Sequence, residues 1–81
     1  MSHWHAINDA LAPDDAAQCV YPTRVRARNM LNIWLRGARE FQWRAEPVGA
    51  TGWMILSGPN GARVNMIDVK QCDKPECVVQ P

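Results

Sequence analysis

Two residue pairs hold most of the coordination and redox chemistry in this sequence. They are Cys72 and Cys77, in the stretch QCDKPEC, and His3 and His5, in MSHWHA. Structural zinc sites take four such donors, usually from close pairs two to four residues apart. In an extended chain the H-x-H spacing sets both imidazoles on one side. The cysteines are spaced C-x4-C, wider than a tight knuckle, and lie at the opposite end of the chain. His3, His5, Cys72 and Cys77 together would complete a two-Cys, two-His set. No pair matches an established zinc pattern, so the sequence alone assigns no metal and no cofactor.

The same cysteines admit a disulfide clip. A turn containing Pro75 can bring their Cα atoms to bonding distance, and so short a loop contributes only about 2 kcal/mol. A Cys19–Cys72 bridge would close a longer loop and contribute about 4 kcal/mol. Three cysteines is an odd number, and MSHWHAINDALAPDD has neither a basic start nor a continuous apolar run. The expectation is therefore a cytoplasmic protein with free thiols, Cys19 being buried as a small hydrophobe.

Catalysis finds little support. A nucleophile needs a base and an orienting acid, and His3 and His5 are the only histidines. The acids are scattered, and GPNG reads as a hairpin turn rather than a phosphate loop. The chain is read as not an enzyme. No stretch reaches the roughly 18 apolar residues of a membrane span, so no membrane partner is expected.

Charge is unevenly placed. The net formal charge is +1, yet residues 23–44 carry six arginines against the single acid Glu40. Arginine and tryptophan are the residues most enriched at binding hot spots. Arg24, Arg28, Arg36, Arg44 and Trp53 are accordingly the candidate partner-binding residues, and a protein is the expected partner. Nucleic acid, bound through the same arginines, is the alternative. A homodimer or structural accessory role is a third.

The elements that must position these groups are readable. Thr23 is a suitable helix N-cap and Gly37 a suitable stop, which predicts a helix over about 24–36. Ala27, Met30, Leu31, Trp34 and Leu35 fall on one face of it, whereas Val25 and Ile33 do not. Arg24 and Arg26 oppose the helix dipole in the first turn, a cost of roughly 0.3–1 kcal/mol per charge that hints at a use. Period-two patterns predict strands at about 40–47, 53–57 and 62–70, and 16–21 is a candidate fourth. Pairing Gly58 with Ala62 across the turn sets Leu56 opposite Val64 and Met54 opposite Met66 on the helix-facing side. Trp53, Ile55 and Ile67 would then form an outer contact face. In 1–22, Trp4, Ile7 and Leu11 have helical spacing broken by APDD.

The expected fold is α+β: one main helix on a three- or four-stranded antiparallel sheet, a single domain over 1–81 with mobile termini at 1–6 and 73–81. With TRVRARNMLNIWLRG as helix and FQWRAEPV, GWMILSG and ARVNMIDVK as strands, the layout resembles that of anti-CRISPR proteins, small phage-encoded inhibitors. The likeness covers about residues 18–70 and carries no motif, so it transfers no functional residue. It implies a stoichiometric inhibitor that occludes a surface of a host complex with a charged or aromatic face.

Overall fold

Thr23 opens the main helix as predicted. Its backbone is extended, and its hydroxyl accepts a hydrogen bond from the Arg26 N–H at 3.3 Å. The computed structural model describes residues 2–58 and 60–81, so Met1 of the 1–6 segment and Pro59 of the GPNG turn lie outside the described residues. In chain order the elements are β1 (His3–Asn8), α1 (Pro13–Ala16), β2 (Val20–Tyr21), α2 (Arg24–Glu40), β3 (Arg44–Val48), β4 (Gly52–Ser57) and β5 (Ala62–Cys72). The class is α+β, with α2 lying on one antiparallel sheet of five strands in the order β2-β1-β5-β4-β3. Among the described residues, no helix is long and apolar enough to cross a membrane.

The core lies between α2 and the sheet. Ala27, Leu31 and Ala38 from the helix meet Ala6, Tyr21, Ile55, Ile67 and Val69 from the strands, and Cys19 is buried among them. Met30, Trp34 and Leu35 pack against the same cluster, as the helical arc requires.

Four expectations change. First, α2 does not stop at Gly37 but runs to Glu40, because the chain reverses further on. Gln42 adopts a left-handed φ of 61°, its N–H donates to the Arg39 carbonyl, and the Trp43 N–H donates to the Ala38 carbonyl. That is a Schellman cap with glutamine where glycine is usual. The helix thus consumes the start of the predicted 40–47 strand.

Second, the sheet gains a strand. Residues 3–8, where Trp4 and Ile7 have helical spacing, alternate as a strand instead. Trp4 and Ala6 face α2, and the segment pairs with β5 from His3↔Cys72 to Asn8↔Ile67. Third, the 16–21 strand shortens to Val20–Tyr21, since Pro13–Ala16 form a helical turn.

Fourth, the sheet faces are exchanged. Met54 does pair with Met66, but Leu56 pairs with Arg63 and Ser57 with Ala62 across a bulge. Trp53, Ile55, Ile67 and Val69 face the helix. The residues alternating with them include Asp68 and Lys70, which would be costly to bury. Extending the strand pattern past Ile67 is what decides the side. Asn65, the polar residue on the buried side, donates its amide to Asn8 Oδ1 at 2.8 Å.

Candidate metal centre and arginine groove

Antiparallel pairing of the first and last strands brings the chain's two ends together. His3 and His5 alternate with core-facing Trp4 and Ala6, so both imidazoles project from the side of the sheet away from α2. Cys72 sits opposite His3 at the end of β5. The chain then turns, and Cys77 returns over β1 with its Sγ 3.7 Å from His5 Nε2. The tail continues along β2, where the Gln80 N–H donates to the Val20 carbonyl at 2.7 Å.

One ligand atom from each of His3, His5, Cys72 and Cys77 lies within 4.8 Å of all the others. The two imidazole rings are 5.3 Å apart and tilted by 54°. The Lys74 backbone N–H donates to Cys72 Sγ at 3.4 Å. His3 is only 5% exposed, and its Nε2 has no hydrogen-bond partner among the described residues. Burial, then the positive fields of His3, Lys74 and Lys70, hold the His5 imidazole below its ordinary pKa. Burial pushes the Cys77 thiol up, with the Cys72 thiol and Glu76 adding and Lys74 opposing. Two sulfurs and two nitrogens form a closed four-donor set, the composition of a structural rather than a catalytic site.

The other candidate residues lie across the molecule. Arg24, Arg28 and Trp53 line one groove of about 140 Å³ between α2 and the β3–β4 turn, together with Asn32, Leu35 and Pro47. Trp53 is thus half-buried beside the helix, not on an outer sheet face. Arg24, Arg28, Asn32 and Arg36 succeed one another at intervals of four, so Arg36 extends the same side of α2 beyond the groove. Arg44 does not join them. It lies on β3, 3.6 Å from Glu46, near the stacked rings of Phe41 and Trp43.

The first-turn arginines have a local explanation. Arg24 stands over the Trp4 ring at 5.9 Å and Arg26 over the Tyr21 ring at 5.8 Å, within cation–π range. Such contacts gain roughly 0.5–1 kcal/mol at exposed sites, enough to offset the dipole cost. Among the described residues the ion pairs are Arg44–Glu46 and Arg63–Asp9, and neither uses an arginine of α2. No protein-family model, curated protein or solved structure matches the chain.

Sequence reasoning found all four sulfur and nitrogen donors but left them at opposite ends. The histidines were already placed on one side; the missed signal was that Trp4 and Ala6 alternate with them in HWHAIN, the pattern of a half-buried strand.

Proposed function

We propose that this chain is a non-catalytic protein-binding module whose contact surface is the arginine side of α2 and the groove beside it. The supporting observation is that Arg24 and Arg28 converge with Trp53 on one groove while no arginine of α2 is neutralised by an ion pair among the described residues. Guanidinium groups left unpaired in this way suit carboxylates, which they grip in bidentate fashion. The same helix exposes Val25 (69%) and Ile33 (53%). Apolar side chains beside cations fit an acidic protein surface with its own apolar contacts better than a phosphate backbone. Binding of this kind suits an inhibitor that occludes a partner's surface, the mode that the resemblance to small phage-encoded inhibitors implies.

The test uses the full chain as bait in host lysate, beside the charge-reversed Arg24→Glu/Arg28→Glu variant. A partner recovered by the first and lost by the second, with recovery falling as salt rises, supports the reading. Equal recovery by both baits overturns the arginine surface. A gel shift with a steep salt slope, lost in the same variant, assigns the arginines to nucleic acid instead.

A further inference from the structure

The geometry points to a metal site: His3, His5, Cys72 and Cys77 bind one borderline-soft divalent ion of the zinc class and so tie β1 to the C-terminal tail. This inference is independent of the arginine surface, which lies on the other side of the sheet.

Donor distances carry the first part of the argument. Zn–S bonds of about 2.3 Å and Zn–N bonds of about 2.0–2.1 Å place tetrahedral ligand atoms roughly 3.3–3.8 Å apart. The Cys77 Sγ to His5 Nε2 distance is already 3.7 Å, and every ligand pair lies within 4.8 Å. Closing the set therefore asks no pair to approach by more than about 1.5 Å, within reach of small rotations about χ1 and χ2.

A second observation is His3. Its Nε2 is buried without a hydrogen-bond partner among the described residues, whereas buried polar atoms are nearly always satisfied. A metal ion bound through Nε2 gives that nitrogen a partner. A third is the Lys74 N–H aimed at Cys72 Sγ, an outer-shell donor of the kind that steadies a coordinated thiolate. The set contains no carboxylate, which argues against magnesium or calcium, and four protein donors leave no position for a reacting water. A Cys72–Cys77 disulfide would use the same sulfurs, yet would leave His3 Nε2 unpaired and both imidazoles without a role.

The experiment takes the full chain, reduced and stripped with chelator, and titrates it with Zn²⁺ against a chromophoric competitor, with stoichiometry counted by native mass spectrometry. One equivalent should bind, and the melting temperature should rise by roughly 10–20 °C at a hundredfold excess over Kd. Co²⁺ in place of Zn²⁺ should give the visible bands of a tetrahedral site with thiolate charge transfer. Cys77→Ser, on the tail and near-isosteric, should weaken binding by more than about 100-fold, beyond what loss of an outer-shell partner causes. His5→Ala should do the same, and Cys19→Ser should leave binding unchanged. Absence of stoichiometric binding overturns the site, as does binding that survives in Cys72→Ser/Cys77→Ser. So does a Cys72–Cys77 disulfide, seen as a mass about two daltons lower, that forms even with Zn²⁺ present.

Discussion

Among the described residues two polar side chains, His3 and Asn65, are buried, and they are accommodated differently. The Asn65 amide donates to Asn8 Oδ1, which also accepts the Ala10 N–H at 3.0 Å. Asn8→Ala removes the acceptor and leaves a buried donor unsatisfied, so it should destabilise by about 1–3 kcal/mol. Urea unfolding measures this, and a change within about 0.5 kcal/mol, typical of a surface substitution, would show that the pair contributes nothing. Cys19 and Tyr21 make a second residue-scale prediction. Burial raises the Cys19 thiol, helped by Asp15 and opposed by the neighbouring Tyr21 hydroxyl. Burial likewise raises the Tyr21 phenol, helped by Cys19 and opposed by Arg26. With folded values above unfolded ones, the unfolded chain loses its protons first, so stability is full at neutral pH and falls as pH rises. The fall should begin near pH 8.5, about where a free thiol ionises, and continue through the phenol range. Melting temperatures from pH 7 to 10.5 would show it. Cys19→Ala should flatten its lower part, and a flat wild-type profile would contradict the assignment.

At the scale of elements, the end of α2 is where local rules and the fold disagree. Gly37 sits inside the helix, and a Cβ added there would meet nothing within 4 Å. Gln42 meanwhile holds the left-handed position that glycine tolerates best. Exchanging the two chemistries should help at both places. Gly37→Ala should stabilise by about 0.5–1 kcal/mol, and Gln42→Gly by about 1 kcal/mol. Calorimetry on the single variants checks each. A lower melting temperature for Gln42→Gly would mean that the glutamine side chain makes a compensating contact. The same region shows what sequence reasoning can reach. Thr23 and the face of Ala27, Met30, Leu31, Trp34 and Leu35 were legible because an N-cap and a 3.6-residue period are local signals. The stop was misread because Gly37 is a stop by type, whereas the true cap depends on backbone reversal at Gln42. The sheet faces were misread because a hairpin fixes only neighbours. Which side meets the helix depends on the whole length of β5, out to Asp68 and Lys70.

For the whole molecule, the decisive fact is that the first and last strands lie side by side in the interior of the sheet. The candidate donors were therefore legible as a possible set but not as neighbours, since some 70 residues separate the pairs and only the β1–β5 register joins them. Within the arginine set, Arg24, Arg28 and Trp53 do share a groove, but Arg44 is carried to the far edge by β3. This topology has a measurable consequence. β1 and β5 have strands on both flanks, whereas β2 and β3 are edges, and β3 is guarded by Pro47, Arg44 and Glu46. Native-state hydrogen exchange should therefore find the slowest amides around Ile67 and Asp68 of β5, Ile7 of β1, whose strand partner is Asp68, and Leu31 of α2. Amides of β3 should exchange earlier, through local opening of the edge. Because β1 closes the longest loop in the chain, its pairing should also form late in folding, yet be lost only with global unfolding. Exchange at Ile7 as fast as in the loops, with β3 still protected, would be incompatible with an interior β1. A bound zinc ion would leave β3 unchanged and slow exchange in β2 and in the tail at Gln80, the segments held to the sheet through β1 and Cys77.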